Sequence, residues 1–400
     1  MISVDEALNI VLDSVKPLMP ETVTVMDAFG RVLAEDVYSD CDIPGFDYSA
    51  MDGYAVRYED TKGASSDAPK NLKMVGEMRA GSSVSLRVGE GEAIKIMTGA
   101  PIPDGADAVV MVEHTEKDGE TIRVFQEVEE GENIRRAGED VKRGRLVINR
   151  GTRLREPHIG MLVALGRREV KVTRRPMVAI LATGDEIVDI GEEMGYGKVR
   201  NANTYSLSCQ VISAGGIPVN MGIAKDEPDE LRRKLSLCTQ YDIIITSGGV
   251  SMGEYDLVKK LLLELGMKQG FWKVAIRPGK PNLFGVIEGR PVFGLPGNPV
   301  SCMIGFELFV RPAILKMLCH KIDDRTEVEA YLEEDIKKKK GLRFFLRADT
   351  RFEGGRYVTR TTGPQGSGIL SSMLLANSLI IIGEDESLLT KGSRVKVRFI

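Results

Sequence analysis

The chain is short of the residues that staple small folds or cage metals. It has three histidines and five cysteines in 400 residues. Cys41, Cys209, Cys238, Cys302 and Cys319 are scattered, odd in number and never spaced as CxxC. That spacing argues against a zinc site and a disulfide framework, and it fits a reducing cytoplasm. A long uncharged apolar run is missing as well. The longest, Cys302 to Leu318, is broken by Glu307, Arg311 and Lys316, which marks a buried helix and not a membrane span. Strong charge of one sign is also absent. A net charge of −4 gives no global reason to expect nucleic acid or an anionic membrane as partner. The run Lys337 to Lys340 is local and reads as a solvated turn. Asp5 and Glu6 stand where a secretory signal would carry basic residues, so a cytoplasmic protein is expected. No Ser-His-Asp arrangement or cysteine nucleophile stands out, and His114 and His158 read as structural.

With 42% hydrophobic and 28% charged residues, the chain can bury a sizeable core and stay in solution. Its length suggests roughly two or three domains. Ser3 to Val15 reads as an amphipathic helix with a capping box at Ser3 and Glu6. Ile43 to Arg57 is too rich in polar and turn residues for a core element, and reads as a surface loop running into a short strand. From Leu72 to Glu129 the pattern is β, with strands expected at Val84 to Val88, Ala93 to Met97, Ala106 to Glu113 and Thr121 to Glu129. A polar loop at Gly131 to Asp140 carries Arg135 and Arg136, able to grip an anion. Glu156 to Leu165 reads as a helix whose chain returns to pack with the N-terminal helix.

From Pro176 the grammar becomes alternating β and α. Strands are expected at Met177 to Leu181, Ile217 to Met221, Asp242 to Thr246, Phe271 to Ile276 and Pro291 to Leu295. Helices are expected at Thr204 to Ala214, Asp229 to Leu237, Glu254 to Leu265 and Val300 to Leu318. Short βαβ steps predict a mainly parallel sheet with helices on both faces. From about Asp324 the pattern returns to β and predicts a small barrel or sandwich. The pattern therefore gives the fold class α/β plus β: a mainly parallel α/β sheet domain, a small all-β module and a C-terminal β-barrel-like or sandwich domain.

Ligands of such sheets bind beyond the carboxyl ends of the strands. The stretch Tyr241 to Asp256 places an apolar strand, the turn Thr246-Ser-Gly-Gly249 and a helix start in succession, the grammar of a phosphate site. It also carries Glu254 and Asp256, and acids beside a phosphate make sense through Mg²⁺. Four carboxylates fall near these ends or on the surface loop: Asp52, Glu186, Asp226 and Asp256. Each alone reads as a surface acid or helix cap. Cations at Lys273, Arg277 and Lys280 suit an oxyanion or pyrophosphate. Pro296-Gly-Asn-Pro-Val-Ser301 opens a long helix as a tight turn and N-cap, with Ser301 a further partner for N–H groups.

Six segments together resemble the MoeA family of molybdopterin molybdenumtransferases, to which the E domain of gephyrin is similar. They are Phe46-Asp-Tyr-Ser-Ala-Met-Asp-Gly-Tyr-Ala55, Ile96-Met-Thr-Gly-Ala-Pro101, Ala182-Thr-Gly-Asp-Glu186, Ser247-Gly-Gly-Val-Ser251 with Gly253-Glu-Tyr-Asp256, Ile276-Arg-Pro-Gly-Lys-Pro281 and Gly294-Leu-Pro-Gly-Asn-Pro-Val-Ser301. The resemblance implies four regions: an extended mixed domain from residues 1–42 and 140–174, an inserted β module at 43–139, an α/β domain at 175–322 and a β domain at 323–400. It implies insertion of molybdate into adenylylated molybdopterin with Mg²⁺-dependent hydrolysis, releasing AMP and molybdenum cofactor. It implies a homodimer whose cleft joins the α/β domain of one subunit to the β module of the other, and a molybdopterin adenylyltransferase as upstream partner. The catalytic positions implied are Asp52, Thr98, Glu186, Asp226 and Asp256, with Asp226 and Asp256 toward Mg²⁺. The substrate-binding positions are Ser247, Gly248, Gly249, Ser251, Lys273, Arg277, Lys280, Pro296, Gly297, Asn298, Pro299 and Ser301. Arg277 departs from the family, which carries lysine there, and a planar fork differs from a point charge. An adenylyltransferase, a tungstate-inserting paralogue and a scaffold protein are the competing readings at this stage.

Overall fold

The structure, a computed structural model, describes residues 1–81, 86–249, 257–321 and 325–400. The expected strand at Val84 to Val88 therefore lies partly outside the described residues, and so does the first part of the helix expected at Glu254 to Leu265.

Three short antiparallel ladders zip together the two halves of the N-terminal region. Pro20–Thr24 pairs with Glu169–Thr173, Val37–Tyr38 with Leu146–Ile148, and Tyr48–Ser49 with Ile134–Arg135. The ladders are nested, so everything between residues 49 and 134 is an insertion closed at its base. Inside lies a six-stranded sheet in the order 108–111, 53–56, 92–96, 70–78, 121–124, 115–118. Gly53 is required at its centre. A Cβ there would fall 2.0 Å from the carbonyl oxygen of Val110 on the neighbouring strand.

Helix α1 (Val4–Ser14) starts where the capping signal placed it, with Ser3 Oγ accepting the Glu6 N–H at 3.1 Å. It does not meet α2 (Glu156–Ala164), as the sequence reading expected. Its apolar face, Val4, Ala7 and Val11, joins the core of the α/β region, whereas Leu162 of α2 packs with Leu33, Leu154 and Val172. Both helices have short apolar faces, and nothing in their spacing names the partner.

The α/β sheet runs in the order 217–224, 177–183, 243–247, 290–295, 283–287, 268–272. Its first four strands are parallel; Leu283–Ile287 runs against them and pairs antiparallel with both 290–295 and 268–272, so 268–272 points the same way as the first four. Alternation explains the two-sided burial. Ile243 and Ile245 face the core shared with α1, α3 (Ala202–Ser213) and α6 (Pro299–Gly305), and Ile244 faces the other way toward α4 (Pro228–Cys238) and α5 (Leu257–Glu264). Each such isoleucine removed from water contributes about 1.5–3 kcal/mol. The strand expected at Phe271 to Ile276 stops at Trp272, because Lys273 takes a φ of 77° and turns the chain away. The strand Leu283–Ile287 was not foreseen. The long helix after Asn298 is continuous but carries one π-turn at Phe306–Val310 between α6 and α7 (Arg311–Met317).

The C-terminal strands 343–353, 356–361, 327–332, 394–399 and 378–382 close on themselves through the pairing of the last with the first, giving a five-stranded barrel. Phe344, Leu346, Ala348, Ile380 and Val397 are among the side chains that fill it. The alternate residue Phe345 points out, into the α/β core. The barrel also takes Ile276–Arg277 as an added parallel strand beside Arg343 and Phe344. Among the described residues no helix is long and apolar enough to cross a membrane.

Candidate functional site

Because the central strands are parallel, Thr183, Ala224, Ser247 and Leu295 end on one edge of the sheet. The acids follow at once. Asp185 Oδ1 accepts the Asp226 N–H at 3.2 Å, joining the loops after strands 177–183 and 217–224. Burial, then the negative charges of Asp185 and Glu186, push the Asp226 carboxyl above the usual carboxylate range. Lys198 Nζ is near but donates to the Asp185 backbone carbonyl at 2.6 Å. These are hard carboxylate oxygens of the kind that suit Mg²⁺, which is commonly held by one or two carboxylates with water and substrate phosphate. No group of three or more metal-binding side chains is assembled among the described residues. Asp256 and Ser251 lie outside them, as does Glu254.

The turn Ser247-Gly-Gly249 is built for close approach to the neighbouring strand. Gly248 has a φ of 96°, and a Cβ there would fall 2.6 Å from the Thr183 carbonyl oxygen. A Cβ at Gly249 would fall 2.3 Å from Val258 Cγ2. The Gly248 N–H, expected to grip a phosphate, instead donates to the Leu295 carbonyl at 3.1 Å. Ser247 Oγ is buried and accepts a 2.7 Å bond from Asn203 Nδ2, which also donates to the Gly297 carbonyl at 2.8 Å. Asn203 thus ties the turn at 247 to the turn Pro296-Gly-Asn298. It was not singled out from the sequence; its only signal is the pair Asn201 and Asn203 opening α3, where Asn201 takes the cap by accepting the Thr204 N–H. Cys302 Sγ lies 3.8 Å from Ser247 Oγ, and burial pushes its thiol up to about 12, so it stays neutral.

Pro296, Gly297 and Asn298 form the turn before α6, with Pro299 in its first turn, and Ser301 is buried. Asn298 occupies the cap position without a side-chain capping bond, and the Val300 N–H is taken by the Ser367 carbonyl of the C-terminal region at 3.1 Å. Helix propensities cannot announce a cap supplied from 67 residues downstream.

The basic loop is shared between regions. The Lys273 ammonium lies 4.0 Å from the Trp272 ring centroid. Lys280 is half-buried, and its carbonyl accepts the Val274 N–H at 2.9 Å. Arg277 is exposed, its guanidinium 5.5 Å from the Phe344 ring. It lines a cavity of 760 Å³ with Phe344, Lys338, Arg347 and Gln365. Lys338 is no solvated turn residue: its Nζ donates to the Leu342 carbonyl at 2.9 Å and burial lowers its pKa. Arg347, also missed from sequence, is fully buried with no carboxylate partner among the described residues. It donates to Ser372 Oγ and the Gly366 carbonyl, both at 3.0 Å, and its second terminal nitrogen has no partner among the described residues. Burial lowers it to about 10.

Asp52 and Thr98 form a separate unit in the inserted module. Asp52 Oδ1 accepts the Thr98 N–H at 2.7 Å and its hydroxyl at 2.8 Å, which holds the exposed carboxyl below its usual range. No hydrogen bond or ion pair among the described residues joins this unit to the acids at 185–226. Arg135 and Arg136 are not free to grip an anion. They pair with Glu139 and Asp47, each at 2.7 Å.

The chain matches known proteins along nearly its whole length. Residues 2–166 match the MoeA N-terminal region (domain I and II), residues 179–316 the probable molybdopterin binding domain, and residues 329–400 the MoeA C-terminal region (domain IV). The molybdopterin molybdenumtransferase of Bacillus subtilis is 36% identical, with 95% of this chain and 90% of that protein covered. Its counterpart from Haemophilus influenzae is 35% identical over 99% of this chain and 98% of its own. Among solved structures, the molybdopterin biosynthesis MoeA protein of Pyrococcus horikoshii superposes with a TM-score of 0.86 at 34% identity, covering 100% of this chain and 99% of that one. The same order of regions, the same fold and a third of all residues in common lead to one conclusion: the chain belongs to the MoeA family of molybdopterin molybdenumtransferases.

Proposed function

We propose that the chain inserts molybdate into adenylylated molybdopterin and releases AMP, working as a homodimer in the cytoplasm downstream of a molybdopterin adenylyltransferase. The observation that carries the reading is that unlike charges follow strand ends on the same edge of the sheet. Carboxylates at 185, 186 and 226 follow its first two strands, and the cations of the 273–280 loop follow its last, where Arg277 lines a cavity together with Arg347 of the barrel. A phosphate-splitting site needs both, because the departing group must be neutralised while a reacting oxygen is held in place.

In this reading Asp226 and Asp256 would hold Mg²⁺, largely through water, with Glu186 beside them. The ion would supply neutralisation of phosphate charge. The chain's own groups do the rest. Arg277, Lys273 and Lys280 bind the oxyanion. Arg347, buried behind Arg277 in the same cavity wall, adds positive potential from the barrel side. The turns at Ser247-Gly-Gly249, with Ser251, and at Pro296 to Pro299, with Ser301, shape the floor for the pterin ligand, and Asn203 keeps the two turns in register. Asp52 and Thr98 reach the cleft from the other subunit, with the four regions at 1–42 plus 140–174, 43–139, 175–322 and 323–400.

The test is product analysis. Adenylylated molybdopterin is incubated with molybdate or tungstate, with and without Mg²⁺, and AMP and metal-loaded cofactor are counted. AMP release that requires both Mg²⁺ and molybdate is the expected result. In a parallel incubation of molybdopterin with ATP, consumption of ATP together with no AMP release from the adenylylated substrate would replace this reading with an adenylyltransferase, and preference for tungstate would change the oxyanion.

A further inference from the structure

The loop that carries Lys273, Arg277 and Lys280 is closed at its base by Asn282, a residue only 1% exposed. The Lys273 N–H donates to the Asn282 carbonyl at 3.1 Å, so the two ends of the loop are paired. The Asn282 N–H donates to the Lys280 carbonyl, also at 3.1 Å. A bond to the second residue back closes a three-residue turn, and Pro281 at its centre has its φ fixed near the value that turn needs. The Val274 N–H donates to the same Lys280 carbonyl at 2.9 Å. The side chain of Asn282 takes the carbonyl before it: Nδ2 donates to the Gly279 oxygen. One residue thus holds the peptide units on both sides of Lys280.

The other side of the amide faces the long helix. A Cβ on Gly305 of α6 would fall 2.7 Å from Asn282 Oδ1. A Cβ on Gly279 would meet Asn282 Nδ2 at 3.2 Å and the Ser301 carbonyl at 3.4 Å. The amide therefore sits between the basic loop and α6, the helix that opens at the turn Pro296 to Asn298. Space filling does not explain an asparagine here. Its Oδ1 is buried and has no donor among the described residues, which is a cost to the fold. A leucine of similar size would fill the space without that cost. What leucine cannot do is donate to the Gly279 carbonyl.

We propose that Asn282 is a positioning residue for Lys280. It fixes the backbone that carries this lysine against α6, so that the ammonium is presented to an oxyanion from one direction. The proposal rests on the reading of the basic loop given above. A lysine on a backbone free to turn would have to be ordered when the anion arrives, and that cost would be subtracted from the affinity. Asn282 meets the cost in the fold instead. It is buried beneath the loop and acts on the anion only through Lys280.

Equilibrium dialysis of molybdate against the full chain tests this, with thermal melting alongside. Four chains form a cycle: the parent, Asn282→Leu, Lys280→Met and the double variant. Lys280→Met should bind molybdate more weakly, because a charge is gone. Asn282→Leu should bind it about fivefold more weakly, the worth of one neutral hydrogen bond. The double variant should bind no more weakly than Lys280→Met, since a positioning residue has nothing left to position. Gly305→Ala presses on Oδ1 from the helix side. It should also weaken binding, and only while Lys280 is present, which gives a readout even if Asn282→Leu fails to fold. Parental affinity in folded Asn282→Leu, or in Gly305→Ala where the first does not fold, would overturn the proposal. So would equal losses with and without Lys280, the mark of a residue that merely supports the core. Either result leaves the reading of the basic loop standing, provided Lys280→Met itself binds less molybdate. If Lys280→Met binds as the parent does, that reading fails and the proposal falls with it.

Discussion

Replacing Asn203 by alanine would cut two loops loose from each other at once. Its side-chain amide spends one proton on Ser247 Oγ at 2.7 Å and the other on the Gly297 carbonyl at 2.8 Å. Each neutral hydrogen bond contributes about 1 kcal/mol net, so the pair couples the two turns by about 2 kcal/mol. If that coupling keeps both turns in the competent arrangement, its loss lowers the competent fraction, and with it kcat/KM, about 30-fold. The fold should survive, because Asn203 is only half-buried and the α3 cap belongs to Asn201. The assay is steady-state AMP release beside circular dichroism and thermal melting. A double-mutant cycle with Ser247→Ala isolates the bond the two residues share and should return a coupling of about 1 kcal/mol. A kcat/KM within about twofold of the parent in a normally folded Asn203→Ala chain would refute the idea that the two turns act as one floor.

Three more outcomes follow from particular contacts. Gly53→Ala should destabilise the inserted sheet by about 3 kcal/mol, because a Cβ 2.0 Å from the Val110 oxygen forces a strand to move; faster amide exchange confined to residues 49–134 would show it. For Asp242, burial opposes ionisation. Two bonds from Arg174, at 2.8 and 2.7 Å, with the Met177 N–H outweigh it and leave the folded carboxyl below its usual range. Its stabilisation is therefore complete above the unfolded value of roughly 3.9 and fades as pH falls through the lower folded value. The stability gap between parent and Asp242→Asn, measured by denaturant titration, should close over that acid range and stay constant above it. Inactive Asp52→Ala and Asp256→Ala chains, re-paired at random, should recover roughly a quarter of parental activity if each cleft draws on two subunits. Recovery of nothing, with mixed dimers confirmed by tag pull-down, would put both residues in one chain's own site.

The sequence was most readable where a single period or cap decides the outcome. Ser3 capped its helix, Ile243 to Ile245 announced a strand buried on both faces, and the alternation from Arg343 onward announced a barrel wall. It was least readable where a distant backbone group decides. The glycines at 248 and 249 read as a phosphate cradle, yet their lack of side chains is already demanded by Thr183 and Val258, and one N–H is spent on Leu295. The run from Phe271 to Ile276 looked like one strand because nothing in the letters says that Lys273 turns left-handed. Arg347 was invisible for a related reason. Between two apolar residues on an alternating strand it looks like any outward-facing cation, and only the closed barrel shows that its outer side is covered by the segment 365–372.

The barrel annexes residues 276–277 as a sixth strand, and its Ser367 carbonyl caps the helix that begins at Pro299. The basic loop at 273–280 thus has two owners, one for each end of its geometry. A protease cut near residue 322, or a recombination event that traded one barrel for another, would leave the α/β domain folded around its isoleucines but with the loop unanchored and the helix start bare. The C-terminal barrel is therefore heritable only together with the particular loop it holds. The last 76 residues of the chain are as much a template for the site as a domain beside it.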